Sequence, residues 1–268
     1  MYRGTVVNSA IIAILILSSV FLQLGNSNLP GIMQQIDQNV QPVLGPRTDY
    51  HASYEPHDRI SIYGNDDFVE QGWPGEGTPE DPYLIEGFEI VSDLDCIAIH
   101  GTTVHFIVRS CLVRSLAPSE HRVGIKVQSA SQGIVENCII EMKGEGLTML
   151  LSSNIVLRNN TVRNSPDWGI WLSSCSSCVI RDNTVYNTPS PGITAFSLTG
   201  CFVANNTIRD CESDGISIDD SVSCSVLNNS IHDCDGAGIS FSWCASSVFS
   251  GNRIYSNSGP GIYNYDSD

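Results

Sequence analysis

Basic side chains are scarce in this chain. Its 13 lysines and arginines stand against 29 aspartates and glutamates, which gives a net charge of −16 and a pI near 4.5. Nucleic acids and anionic membranes attract basic surfaces, so this balance argues against binding to either. An acidic charge of this size suits a soluble protein on an outer surface. We therefore expect no nucleic-acid partner.

Helical periodicity is also lacking, because no window places apolar residues at i, i+3 and i+4 among good helix formers. Short apolar alternations, such as Ile216 with Ile218 and Ile170 with Leu172, are instead separated by polar turn residues. That pattern is typical of short β-strands. The 268 residues are 41% hydrophobic, enough to bury a large core drawn out as a rod. The sequence therefore predicts an all-β fold.

In place of helices, the chain has a repeat of 23 residues. Six asparagines recur at that interval, each with apolar neighbours at fixed positions: Asn137, Asn160, Asn183, Asn206, Asn229 and Asn252. A glycine, usually followed by isoleucine, keeps the same period except that its first interval is one residue short: Gly124, Gly146, Gly169, Gly192, Gly215, Gly238 and Gly261. A fixed period of this length predicts a solenoid, in which each unit packs only on its neighbours.

The repeat predicts a right-handed parallel β-helix over residues 96–268, with about seven to eight coils from residue 84 onwards. Leucine-rich repeats have a similar period and are the main alternative. They need a leucine-rich strand and a helical return, whereas small and polar residues occupy the return here. Equivalent residues of successive coils stack about 4.8 Å apart. The asparagines are therefore expected to form an internal hydrogen-bonded ladder at one corner.

The first 95 residues differ from the repeats. Residues 1–24 place Arg3 before an apolar run, which predicts a secretory signal peptide, and the stretch 6–24 is also near the minimum length of a membrane anchor. Both readings stay open, and both predict a protein that is secreted or held at the cell surface. Residues 25–59 are predicted to be a polar linker, and residues 60–95 an N-terminal cap with the first strands. No cap is evident at the C-terminal end, and the oligomeric state is left open.

Ten cysteines in an exported chain normally indicate disulfides. Several recur at equivalent positions of the repeat: Cys178, Cys201 and Cys224 in one column, Cys111 with Cys138, and Cys211 with Cys234. In-register neighbours on parallel strands point the same way, which fits disulfide geometry poorly. We therefore predict mostly free thiols, buried as small apolar groups.

The segment before the repeats carries a family resemblance. Residues 75–83 contain the block Gly-x-Gly-Thr-x-x-Asp-Pro-Tyr, and with the repeats that follow, the chain resembles the archaeal NosD-like proteins built from PbH1 repeats. The resemblance covers about four-fifths of the chain and implies a β-helix. It also implies an exported or membrane-anchored protein, in a wider superfamily of carbohydrate-binding proteins, polysaccharide lyases and hydrolases. The family label implies copper.

The histidines and methionines of the sequence are the possible copper ligands. The six histidines and four methionines contain no His-x-His, His-x-x-x-His or methionine-rich cluster, so the residues do not support a copper site. Acidic residues gather in two adjacent turns and are the candidate ligands for Ca²⁺, with solvated turn acids as the alternative: Asp210, Glu212, Asp214, Asp233 and Asp235. We therefore predict no cofactor and keep Ca²⁺ as an alternative.

The positions three residues after the repeat asparagines are expected to point outwards as one row. We call this row the strip: Arg163, Tyr186, Arg209, His232 and Tyr255. Aromatic faces, guanidinium groups and nearby hydroxyls on a flat parallel sheet suit a sugar polymer, especially an acidic one. Trp171 is expected to add a stacking platform. The alternative is that exposed strand positions favour Tyr, Thr and Arg in any case.

Catalysis is the other function considered, because inverting glycosidases need a pair of carboxylates. The candidates, none of which is assigned, are Asp210 and Asp233 with Arg209 or His232 as a lyase base. The polygalacturonase-like motifs are absent as a set. We predict an exported, non-catalytic β-helix that binds a polysaccharide or surface glycoprotein. A polysaccharide lyase or hydrolase and a structural surface-layer or adhesion rod are the alternatives.

Overall fold

Three short strands per coil, repeated along the chain, build an all-β solenoid in the computed structural model of the protein, which describes residues 54–265. The signal or anchor at 1–24 and most of the linker at 25–59 lie outside the described residues. All of the strand pairings named below are parallel. The predicted parallel β-helix is confirmed, and its eight strands on one side mark eight coils.

Each coil contributes one strand to each of three faces. Face 1, which precedes the asparagine corner, is an eight-stranded sheet: β3 (Tyr83–Glu86), β6 (Phe106–Arg109), β8 (Gly133–Glu136), β10 (Val156–Arg158), β13 (Val179–Arg181), β16 (Phe202–Ala204), β19 (Ser225–Leu227) and β22 (Val248–Ser250). Inward residues of this face, such as Leu157, Ile180 and Val203, are fully or almost fully buried.

Faces 2 and 3 belong to one 16-stranded sheet. Face 2 follows the asparagine corner: β1 (Glu55–Pro56), β4 (Phe88–Val91), β11 (Thr161–Arg163), β14 (Thr184–Thr188), β17 (Thr207–Cys211), β20 (Ser230–His232) and β23 (Arg253–Tyr255). Face 3 follows the glycine corner: β2 (Ile60–Tyr63), β5 (Ile97–His100), β12 (Ile170–Ser173), β15 (Ile193–Phe196), β18 (Ile216–Asp219), β21 (Ile239–Ser242) and β24 (Ile262–Asn264). Two long strands run through both faces and join them: β7 (Leu112–Gln128) and β9 (Ile139–Leu150).

The asparagine ladder is present, and Asn206 shows its geometry. Its Oδ1 accepts hydrogen bonds from the backbone N and from Nδ2 of Asn183, both at 3.0 Å. Its Nδ2 donates to the carbonyl oxygen of Ile180 at 2.9 Å and to Oδ1 of Asn229 at 3.0 Å. The same bonds link the other rungs in series: Asn160, Asn183, Asn206, Asn229 and Asn252. From Asn160 onwards, the ladder therefore provides hydrogen-bond partners for backbone N–H and carbonyl groups at the asparagine corner of each coil.

The prediction was wrong for Asn137. Glu136 pairs with Arg158, so this coil has 22 residues rather than 23. Asn137 therefore moves to the half-exposed corner position with a φ of +54°, and the ladder position falls on Cys138. The backbone N of Cys138 donates to Oδ1 of Asn160 at 3.0 Å. The interval of 22 residues from Gly124 to Gly146 already indicated in the sequence that one coil is a residue short.

The boundaries predicted near the N-terminus also shift. Strand β1 lies within the range assigned to the linker, where it pairs with β4. Strands β2, β3 and β4 pair in register with β5, β6 and β7, so residues 60–95 contain the first strands of the solenoid. A short helix not predicted from the sequence, α1 (Asp66–Glu70), buries Phe68 against Tyr83 with ring centroids 4.7 Å apart.

All ten cysteines are free and buried, as predicted. Cys178 and Cys201 lie at equivalent positions, and the backbone N of Cys178 donates to Sγ of Cys201 at 3.4 Å. Hydrogen bonding with the Cys175 thiol, together with burial, raises the pKa of Cys178 to about 12. Hydrogen bonding with Cys178 raises the pKa of Cys201 to about 12 in the same way. These thiols therefore stay protonated at neutral pH and act as small core groups.

Candidate functional site

The five strip residues occupy one row on the outer side of face 2. The pairings are Arg163 with Tyr186, Tyr186 with Arg209, Arg209 with His232 and His232 with Tyr255, one pair for each step between coils. All five are at least partly exposed. The residues between the strip and the ladder, such as Val185 and Ile208, are fully buried, as period-two alternation requires. A second outward row lies beside the strip: Thr161, Thr184, Thr207, Ser230 and Arg253.

The aromatic rings of the strip stack on their neighbours along the solenoid axis. The Cζ of Arg209 lies 4.1 Å from the centroid of the Tyr186 ring. The rings of His232 and Tyr255 are stacked with centroids 4.7 Å apart. Because these faces are covered within the row, the strip presents ring edges, the phenol oxygen of Tyr186 and N–H groups. At least one face of these rings is therefore covered, which reduces the open aromatic surface expected from the sequence.

The positive charges of the strip are neutralised within the protein. Arg163 forms an ion pair with Glu141 at 2.6 Å and also donates to the Tyr186 hydroxyl at 3.3 Å. These hydrogen bonds raise the pKa of Arg163, that to Tyr186 most strongly. Arg209 forms an ion pair with Asp210, and Nδ1 of His232 lies 2.7 Å from Oδ2 of Asp233. The excess of positive charge on which the preference for an acidic polymer rested is therefore not present.

Trp171 is not part of the strip, because its strand, β12, lies on face 3. Its indole stacks on that of Trp168, with ring centroids 5.2 Å apart and an interplanar angle of 28°. Both indoles are half-buried. The tryptophan pair lies on the neighbouring face, and its role as a stacking platform stays a prediction.

The acidic turn residues do not converge on one point, and three of them form separate contacts with nearby groups. Asp210 and Asp233 are engaged by the basic side chains that precede them, and Oδ1 of Asp214 accepts a hydrogen bond from the backbone N of Ala237 at 2.6 Å. Glu212 and Asp235 lie at the ends of the same two turns. Among the side chains that the structure describes, which exclude those of residues 118–121, no three His, Cys, Asp or Glu are grouped so that they could hold a metal ion. The geometry therefore offers no ready Ca²⁺ cage in the described part of the chain.

The catalytic candidates are the same side chains as the ion pairs of the strip. Asp210 and Asp233 occupy equivalent corner positions one coil apart, about 4.8 Å, which is less than the separation an inverting pair needs. Each has a positive φ, +54° and +57°, as is common for Asp in tight corners. Their ion pairs explain their positions without a catalytic role, and we assign none.

A second polar cluster, on face 3, escaped the sequence reasoning. It contains Lys126, Glu145 and Thr148, next to the two tryptophans. Lys126, Thr148 and Trp171 each follow a repeat glycine by two positions, so the glycine column would have placed them in one outward row. Glu145 precedes Gly146 and had no such signal, because the neighbouring coils have other residue types there.

Family comparison settles the class of this protein. The model of the periplasmic copper-binding protein (NosD) family matches residues 60–195 and, overlapping them, 120–268. The chain therefore belongs to the NosD family, as its resemblance implied. No curated protein in the comparison matches the chain. The description of the family as periplasmic supports a location in the cell envelope or outside the cell.

Solved structures with a similar fold include an alginate epimerase, a mannuronan C-5 epimerase and the catalytic domain of Agl-KA. A double mutant of the periplasmic alginate epimerase AlgG is 16% identical, with a TM-score of 0.58 over 69% of this chain and 50% of that one. The A-module of the Azotobacter vinelandii mannuronan C-5 epimerase AlgE4 is 13% identical, with a TM-score of 0.55 over 69% and 63%. The Agl-KA catalytic domain is 15% identical, with a TM-score of 0.55 over 79% and 40%. The chain thus spans less than two thirds of each, and at these identities the likeness concerns the fold alone.

The copper in the family description was tested against the residues. His100 stacks on Tyr63 with centroids 5.0 Å apart, and His232 is held by Asp233 and Tyr255, so the two imidazoles serve separate contacts. All ten thiols are buried, and hydrogen bonding raises the pKa of Cys178 and Cys201 to about 12, whereas it lowers the pKa of Cys111, Cys175 and Cys234. Copper needs converging imidazole or thiolate ligands, and the described side chains form no group of three His, Cys, Asp or Glu that could hold a metal ion. The side chains that the structure describes therefore do not fit a copper site.

Membrane attachment receives no support from the described residues. The helix α1 has five residues, and no helix within 54–265 is long and apolar enough to cross a bilayer. The anchor predicted at residues 6–24 lies outside the described part of the chain, where it stays a prediction.

Proposed function

We propose that this protein is a non-catalytic glycan-binding protein of the cell envelope or cell surface, and that face 2 holds the glycan. One observation carries the proposal, the alignment of five outward polar and aromatic side chains in register over five successive coils. Four steps of about 4.8 Å make a strip about 19 Å long. A strip of that length is suited to several sugar units of an extended polymer.

Hydrogen bonding is the expected means of recognition. The strip offers the phenol oxygen of Tyr186 and the guanidinium of Arg209. The parallel row adds the hydroxyls of Thr184, Thr207 and Ser230 at the same spacing. A regular array of donors and acceptors complements the hydroxyls of a sugar polymer. The covered ring faces leave little room for stacking, so binding is expected to depend on these polar groups.

Charge favours a neutral polymer over an acidic one. The net charge of −16 repels polyanions at low ionic strength, and Arg163 and Arg209 are already paired with carboxylates. We therefore propose that the ligand is a neutral, hydroxyl-rich glycan. The enzyme and rod alternatives become outcomes of the test below.

Replacing Tyr186 with alanine is expected to weaken binding of a neutral polysaccharide about tenfold or more. The change removes the hydroxyl and the ring on which Arg209 rests, so two hydrogen-bonding groups lose their positions. Calorimetry or affinity electrophoresis against a panel of neutral and acidic polysaccharides provides the measurement. Tyr63→Ala is the matched control, because Tyr63 is 68% exposed but lies on face 3.

The same panel separates the alternatives. Release of reducing or unsaturated ends would identify an enzyme and overturn the non-catalytic proposal. If the protein binds no polysaccharide of the panel, the structural surface-layer or adhesion rod would be the remaining alternative. Equal affinities for the parent and for Tyr186→Ala, with the melting temperature unchanged, would move the glycan away from face 2.

The charge argument has its own prediction, which concerns Asp210. Replacing it with asparagine leaves Arg209 without its carboxylate partner, so affinity for an acidic polysaccharide is expected to rise several-fold at low salt. Asparagine already occupies the equivalent corners at Asn164 and Asn187 with positive φ, so the backbone should tolerate it. Affinity is measured at low and at physiological salt. A parent protein that prefers acidic polymers, and loses that preference in Tyr186→Ala, would contradict the neutral assignment of face 2.

A further inference from the structure

The polar cluster on face 3 forms a row that runs across three coils. Lys126 pairs in register with Thr148, and Thr148 pairs with Trp171, so the three residues occupy adjacent positions on the outer side of the strands, where Thr148 is fully buried between the other groups of the cluster. Going along the row, a cation is followed by a hydroxyl and then by an indole. This sequence of groups differs from the strip on face 2, where rings and guanidiniums cover one another.

Glu145 is fixed beside this row. Its Oε2 accepts a hydrogen bond of 2.6 Å from Oγ1 of Thr148, and Thr148 is fully buried. A carboxylate held by a buried hydroxyl has a defined orientation and keeps lone pairs free for further donors. Burial also raises the pKa of Glu145. A half-buried carboxylate in a fixed position is a ready acceptor for the hydroxyls of a ligand.

The tryptophan pair lies next to the carboxylate. The backbone N of Gly146 donates a hydrogen bond to the carbonyl oxygen of Trp168. This bond places Trp168 beside Glu145, the residue before Gly146. Trp168 and Trp171 cover one face of each other, and among the described residues no further ring lies against either indole. An open indole face can pack against the C–H face of a sugar ring. The pair therefore provides a stacking surface beside the carboxylate.

Lys126 supplies a cation that takes part in no ion pair among the side chains that the structure describes. It is half-buried, and its charge partly offsets the effect of burial on the pKa of Glu145. Other half-buried cations near an outward face, such as Arg114, Arg158 and Arg163, pair with a glutamate. An unpaired ammonium in an acidic protein is a specific place for an anionic group of a ligand.

We propose that Lys126, Glu145, Thr148, Trp168 and Trp171 form a second carbohydrate site, on face 3, for a sugar ring that carries a carboxylate. The indole pair stacks on the ring, Glu145 accepts its hydroxyls and Lys126 binds its carboxylate. This site is separate from the strip on face 2 and does not depend on the function proposed there. It takes one or two sugar units rather than a long stretch of polymer.

Intrinsic fluorescence tests the site, because two of the four tryptophans belong to it. Titration with an oligogalacturonide is expected to change the emission of the parent protein in a saturable manner. The change should disappear in Trp171→Ala and persist in Trp243→Phe, a control at an exposed tryptophan elsewhere. A parent protein without a saturable change, and without heat of binding by calorimetry, would overturn the proposal.

Lys126→Met separates carboxylate recognition from stacking. It keeps the aliphatic stem and removes the charge, so affinity for the oligogalacturonide should fall about tenfold or more, while that for a neutral oligosaccharide of equal length should not change. An equal loss for both ligands, or no loss for the uronide, would contradict the role of Lys126. Tyr186→Ala is expected to leave this titration unchanged, so failure of the strip and failure of this site are distinguishable.

Discussion

Replacing Asn206 with alanine should lower the free energy of unfolding by about 3 kcal/mol or more. The backbone N and Nδ2 of Asn183 lose their shared acceptor, and the carbonyl oxygen of Ile180 loses its donor. All of these groups are buried, so water cannot replace the missing partner without opening the coil. Each unsatisfied buried group costs about 1–3 kcal/mol. The damage extends to both neighbouring coils because the ladder bonds run in series.

Chemical denaturation of the parent and the variant measures this change. Asn205→Gly is the matched control, because Asn205 precedes the ladder, is exposed and has a φ of +57°, which glycine adopts readily. The control should change stability by only a few tenths of a kcal/mol. If Asn206→Ala and Asn205→Gly unfolded at the same denaturant concentration, the ladder would contribute little to stability.

The period of the sequence was sufficient to predict the solenoid and the rungs after the first. Parallel in-register stacking turns equal spacing along the chain into equal position on a face, so Asn160 and the later asparagines follow from counting. Counting fails where a coil changes length, and the coil containing Asn137 is one residue shorter than the 23-residue coils that follow it. The long strand β7 contains register shifts that a fixed period does not describe. The helix α1 is too short to leave a periodic signal.

The candidate sites were predictable only in part. The strip follows from alternation, since the third residue after each rung points outwards. Whether Arg209 is free or paired depends on the rotamers of Asp210 and Tyr186, which spacing does not determine. Glu145 belongs to no repeated column, and its contact with Thr148 arises from the local path of β9. The fold therefore follows from residue types that recur at a fixed period, whereas the proposed binding sites depend on side-chain contacts and on residues such as Glu145 that do not recur.

The glycine column gives the other large expected effect, and Gly215→Ala should destabilise the protein by about 3 kcal/mol or more. A Cβ at Gly215 would lie 2.2 Å from Cγ2 of Ile231 and 2.8 Å from the carbonyl oxygen of Gly238. That oxygen accepts a hydrogen bond of 3.0 Å from the backbone N of Ile216. If the next coil moves to relieve the clash, this backbone hydrogen bond between the coils breaks. If Ile231 moves instead, a fully buried side chain is disturbed.

Gly200→Ser is the control that makes this result specific to the corner. Gly200 has a φ of +61° and open space around its Cα, and serine occupies the equivalent corners at Ser177 and Ser223 with φ of +53° and +55°. This substitution should leave the melting temperature within a few degrees of the parent value. Thermal unfolding of both variants by circular dichroism provides the comparison. Equal melting temperatures for Gly215→Ala and Gly200→Ser would show that adjacent coils separate without cost at this corner, contrary to the close packing of the glycine column.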